Sequence, residues 1–142
     1  MDVQQWLEQV KKLDELINAK LAERQRLIEI ATDISPREID GMPHSNTGSV
    51  SQKMQNAVIN LVMLANEINR LVDRYVDHKQ EVVKSLEELS AVQYGVLHRY
   101  YIRYMTLEQI AEDMGYSVRQ IMRIKKKSLQ NLEDVIVCHQ KM

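Results

Sequence analysis

Apolar residues in the first part of the chain recur as Val3, Leu7, Val10, Leu13, Ile17, Leu21, Ile28 and Ala31, in steps of three, four or seven. At about 3.6 residues per turn, such steps keep to one side of a helix. No Gly or Pro interrupts residues 2–33, so the pattern predicts one long amphipathic helix with Asp2 as its cap. Ser35-Pro36 and Gly41-Met42-Pro43 end it, because proline lacks the N–H donor and clashes with the preceding turn. Residues 35–49, SPREIDGMPHSNTGS, read as a loop longer than an ordinary helix–helix connection. Arg37 and His44 are its candidates for contact with DNA or a polymerase, and a plain flexible connection explains the segment equally well.

The second apolar series is Met54, Val58, Leu61, Ala65, Ile68, Val72, Tyr75, Lys79, Val82, Leu86 and Leu89, in alternating steps of four and three. That is a heptad seam broken only by Lys79, which leaves room for a bend near His78 and Lys79. If continuous, the helix over residues 51–89 is more than about 50 Å long. Two such runs predict an antiparallel hairpin. Each helix buries one stripe there, so Leu16, Leu27, Leu64 and Leu71 are expected to need cover from a second copy, a homodimer.

The last fifty residues repeat one helix-start signal, S/T-x-x-Q, at Ser90–Gln93, Thr106–Gln109 and Ser117–Gln120. Helices at about 91–104, 107–114 and 118–137 follow, the last two separated by Gly115, Tyr116 and Ser117 alone. That spacing is a helix-turn-helix. The expected fold is all-α: a long, coiled-coil-like antiparallel hairpin for oligomerisation or interaction over residues 1–89, then a helix-turn-helix DNA-binding domain over 90–142.

Composition narrows the class. Only 4 Gly and 2 Pro among 142 residues agree with a nearly all-helical chain. No apolar run approaches the length of a membrane span, the N-terminus lacks a signal-peptide layout, and a lone Cys138 excludes an internal disulfide framework. The expectation is a soluble, intracellular protein with no membrane partner. Charge is unevenly distributed: residues 1–90 carry 11 Lys+Arg against 15 Asp+Glu, whereas residues 91–142 carry 8 against 5.

The basic half holds the candidate chemistry. In LEQIAEDMGYSVRQIMRI, residues 107–124, Ala111 is small where two helices cross closely and Gly115 suits the positive φ that closes the first helix. Ile110, Val118, Ile121 and Ile124 form the wedge between the pair. The other face of the second helix then presents Arg119, Gln120, Arg123, Lys126 and Lys127, and from Ser117 to Lys127 there are five basic residues and no acid. The predicted DNA-binding set is Ser117, Arg119, Gln120, Arg123, Lys125, Lys126 and Lys127. Arg119, Gln120 and Arg123 have the donors to read base edges in the major groove, and the three lysines suit phosphates. A lysine-rich helix end is also a common solvated terminus favoured by the macrodipole. Turn, wedge, caps and basic face agreeing in one window favour DNA binding.

Residues 96–132, VLHRYYIRYMTLEQIAEDMGYSVRQIMRIKKKSLQNL, resemble region 4 of bacterial sigma factors, in Arg99-Tyr100 and in Thr106, Ile110, Ala111, Gly115, Ser117 and Ile121. The resemblance implies a helix-turn-helix that binds promoter DNA and works beside RNA polymerase. Gln109 stands where such motifs often carry Glu, and no counterpart of the segment that melts the −10 element is seen, so a complete sigma factor is not expected. The order of long helix, GMPHSNTGS loop, long helix and sigma-like end is similar to phage and prophage ArpU/RinA-type late-gene regulators.

Other features carry less. His44, His78, His98 and His139 have no metal-ligand spacing, Cys138 has no activating partner, and no phosphate loop or nucleophile elbow occurs. No catalysis, metal or cofactor is assigned. Tyr94, Tyr100, Tyr101 and Tyr104 read as packing residues rather than a base-stacking platform. Two alternatives stand beside the regulator: a packaging protein of the small-terminase type, and a helical interaction module whose helix-turn-helix is only structural.

Overall fold

The computed structural model describes residues 2–34 and 47–140, and what it describes is helical, without strands. Helix α1 spans Val3–Ile34, α2 Thr47–Leu86, α3 Ala91–Leu97, α4 Leu107–Met114 and α5 Val118–Gln140. A π-helical turn at His98–Ile102 extends α3. The all-α fold expected from the periodicity is the fold observed. No helix among the described residues is long and apolar enough to cross a membrane.

By internal contacts the chain forms two compact units. The first comprises Met1–Asp14 and Arg74–Met142, the second Glu15–Asp73. In the first unit, Val3, Leu7 and Val10 of α1, Val82 and Leu86 of α2, Leu97, Tyr101 and Ile102, and Leu132 of α5 share one core. Asp2 accepts from the Gln4 amide at 3.2 Å, as a cap should. At His78, where the seam leaves room for a bend, α2 continues as helix, and the His78 Nε2–H donates to the Trp6 carbonyl at 2.8 Å.

The second unit is a pair of helix segments with Ile17, Ala57, Leu64, Ile68 and Leu71 buried along it. Lys20 Nζ lies 3.1 Å from Glu67 Oε1, and since Trp6 meets His78, contacts that advance along α1 step back along α2, so the helices are antiparallel neighbours. Here the seam differs from the expected one. Leu61, Ile68 and Tyr75 recur every seven residues in either reading, but their second partners are Ala57, Leu64 and Leu71, one residue earlier than Val58, Ala65 and Val72. Either choice satisfies the alternation of three and four, and the neighbouring helix decides between them. Leu64 and Leu71 are therefore covered within the chain, while Leu16 stays 43% exposed and Met54, Val58 and Val72 face outward. On α1, Leu21 and Ile28 are also exposed. The segment read as a loop at 35–49 is helical from Thr47 onward; residues 35–46, with Arg37 and His44, lie outside the described residues.

Candidate nucleic-acid interface

Three caps set the local frame. Ser90 Oγ accepts from the Gln93 amide. At Thr106 and Ser117 the box is reciprocal: the Gln109 amide donates to Thr106 Oγ1 and the Thr106 amide to Gln109 Oε1, and the Gln120 and Ser117 pair does the same. Gly115 ends α4 in the left-handed region, φ 75°, with its amide donating to the Ala111 carbonyl. The Tyr116 amide closes on the same carbonyl at 2.9 Å, so α4 ends sharply and only three residues separate it from α5.

The wedge lies where the sequence places it. Ile110, Ala111 and Ile121 are buried in one cluster, with Val118 and Ile124 packed against it. Val96 of α3, absent from the expected wedge, is fully buried in the same cluster. Sequence alone offered only an apolar residue three positions before Arg99, with nothing to say which core it joins. Arg99 braces this arrangement. Its Nε donates to Asp113 Oδ2 of α4 at 2.7 Å and its Nη1 to the Gly95 carbonyl at 3.1 Å. A Cβ on Gly95 would stand 2.9 Å from that Nη1 and 3.3 Å from Met114 Cε, so a larger residue there would displace the ends of two flexible side chains.

The π turn follows, with the Arg103 amide donating to the His98 carbonyl at 3.1 Å. It allows adjacent residues to serve different clusters: Tyr101 and Ile102 enter the core with Leu97, while Tyr100 packs against both cores. Tyr94 stacks on His98 with ring centroids 5.2 Å apart, so the tyrosine set is packing, as expected. His98 titrates below its usual 6.5, first because burial disfavours its charged form and then because of Arg103, Lys79 and Arg99. Tyr104 has φ 57°, the one positive φ on a described residue other than glycine, and burial pushes its hydroxyl up first, with Asp14 and Tyr75 beside it.

On α5, Arg119, Gln120, Arg123, Lys126 and Lys127 are all exposed, on the side turned away from Ile121 and Ser128. Gln120 spends its carbonyl oxygen on the Ser117 cap and keeps its amide N–H groups for another partner. Ser117 is exposed but engaged with Gln120. Lys125 stands apart from the other cations: half-buried, it places Nζ 3.9 Å from the Tyr100 ring centroid and 5.7 Å from that of Tyr101. At about 100° per residue it projects from the opposite side of α5 to Arg119 and Arg123. Met122, not singled out in the sequence, is 55% exposed next to the basic face.

With this geometry in hand, a comparison with protein families matches residues 85–134 to Sigma-70, region 4. The match covers α3, the π turn, α4 and most of α5, about a third of the chain. The class of the C-terminal part is thus a sigma-70 region 4-like helix-turn-helix. No curated protein and no solved structure matches the chain.

Proposed function

We propose that the protein is a sequence-specific DNA-binding transcriptional regulator of the phage type, an activator of late genes akin to the ArpU/RinA-type regulators, acting in the cytoplasm of a bacterial host. The reading rests on one observation. The exposed face of α5 presents Arg119, Gln120, Arg123, Lys126 and Lys127, while its other face is locked against α4 in a region 4-like frame. In this reading α5 enters the major groove, Arg119, Gln120 and Arg123 read base edges, and Lys126 and Lys127 meet phosphates. Residues 90–142 act as the DNA-binding domain. The helical hairpin within residues 1–89 serves dimerisation, which pairs two reading heads on an inverted repeat, and contact with RNA polymerase makes the effect recruitment.

Binding of the full chain to duplexes over a range of salt tests this. Arg123→Ala is expected to weaken the preferred duplex by about 1–3 kcal/mol and to flatten discrimination at one position. Lys127→Ala is expected to weaken all duplexes alike and to reduce the slope of log K against log salt by about 1 per site. Equal losses on preferred and random DNA for both variants contradict the roles, and no duplex binding at low salt contradicts the function.

A further inference from the structure

The hairpin unit leaves a second apolar stripe uncovered. On α2, Met54, Val58, Val62 and Val72 are 40, 56, 56 and 37% exposed, displaced by about 60–140° in the same rotational sense from the buried Ala57, Leu64, Ile68 and Leu71. On α1, Leu21 and Ile28, 36 and 39% exposed, are displaced in that same sense from the side that carries Ile17 and Lys20. Two antiparallel neighbours are related by a twofold axis perpendicular to their common plane. Equal rotational displacement therefore brings both stripes to one face of the pair.

That face is free of charge. Between Lys53 and Glu67, α2 has thirteen consecutive residues without an Asp, Glu, Lys or Arg, in a chain that is 27% charged. The neighbouring Asn18, Gln25 and Asn69 on the same side are uncharged too, whereas Glu23 and Arg26 lie elsewhere on α1. A surface built this way offers nothing to a phosphate backbone or to a charged peptide. It matches its own copy, since two identical charge-free faces meet with no like-charge repulsion and each supplies the apolar area the other lacks. Over residues 54–72 the face is about 27 Å long and two helices, about 20 Å, wide; that is on the order of 500 Å² per copy and 1,000 Å² in total, the size at which a specific interface begins.

We infer that two copies pack hairpin to hairpin through Leu21, Ile28, Met54, Val58, Val62 and Val72, forming an isologous four-helix bundle. The inference rests on the dimeric reading of the hairpin given above and names the surface that makes it.

Sedimentation equilibrium of the full chain tests it, with Val58→Glu and Val62→Glu against Met63→Glu. Met63 is 65% exposed and points to the outer side of α2, so its substitution makes the same chemical change off the face. All three sites are more than half exposed, so each variant keeps its helices, which circular dichroism checks. The expected result is a wild-type dimer, a dissociation constant raised at least about 100-fold by Val58→Glu and by Val62→Glu, and no comparable change for Met63→Glu. A monomeric wild type, a dimer that survives both face variants, or equal dissociation by Met63→Glu overturns the inference. Duplex binding by the same samples separates the two readings: a face-dependent dimer that binds no duplex removes the regulator reading alone, and a monomer that binds duplex removes the interface alone.

Discussion

Lys125 shows how far a residue's type falls short of its role. By type, all three consecutive lysines are assigned to phosphates, yet Lys125 covers the Tyr100 ring while Lys126 and Lys127 stand in solvent. Helical phase explains it, because a step of one residue turns the side chain by about 100°. Lys125→Ala is therefore expected to lower stability by about 0.5–2 kcal/mol and to leave the salt dependence of DNA binding unchanged; a reduced salt slope shows it on the phosphate side after all.

Arg99 was legible as part of an Arg-Tyr segment, but its work as a brace depends on Asp113, fourteen residues away. Its partner is nearly half exposed, so Arg99→Ala is expected to cost about 1 kcal/mol in chemical denaturation, and Arg99→Lys not to restore it, because a single ammonium cannot span both acceptors. His98 adds a pH dependence that burial creates and no sequence motif announces. Its folded pKa lies below the unfolded one, so its contribution is intact above about pH 6.5 and is lost as pH falls towards the folded value, where the unfolded chain takes up the proton first. Between about pH 7.5 and 5.5 the wild type should lose stability relative to His98→Gln. A difference between the two that does not move with pH contradicts this.

Elements were more legible than residues. The S/T-x-x-Q signals and Gly115 set the starts of α3, α4 and α5 and the turn between the last two, because caps act through bonds within four residues and need no tertiary information. Gly115 gives a clean test of the turn. A Cβ there meets nothing within 4 Å, so Gly115→Ala carries only the backbone cost of φ 75°, and a loss of about 1–2 kcal/mol with the wedge intact is expected. A neutral substitution contradicts the left-handed turn.

What periodicity left unresolved was the side of α2 that its partner covers. An unbroken apolar half-cylinder supports two heptad seams one residue apart, and only the fit against α1 selects Ala57, Leu64 and Leu71. The π turn escaped for a related reason: it answers to the two clusters on either side of Tyr100, not to any local capping or breaking signal. Its consequence is that α3 ends at Leu97, short of the residue-104 end expected from apolar spacing.

At the scale of the whole chain, the uneven charge takes on a physical meaning. The acidic first ninety residues are poorly suited to lie along DNA, whereas the net positive C-terminal part exposes cations on α5, so in the proposed function a duplex is steered to that part of the sequence. Under the proposed reading, the charge-free face of the hairpin has a separate task, the pairing of two copies. In the proposed reading, specific binding combines a reading head on α5 with a second copy that doubles it.

In-vitro selection from a random duplex library with the purified full chain, at about 150 mM salt, addresses the central claim most directly, since electrostatic attraction alone enriches no sequence. The expected result is an inverted repeat with half-sites about ten base pairs apart, flattened at one position of each half-site in Arg123→Ala and kept whole in Lys127→Ala. A library that emerges without any enriched sequence contradicts the account.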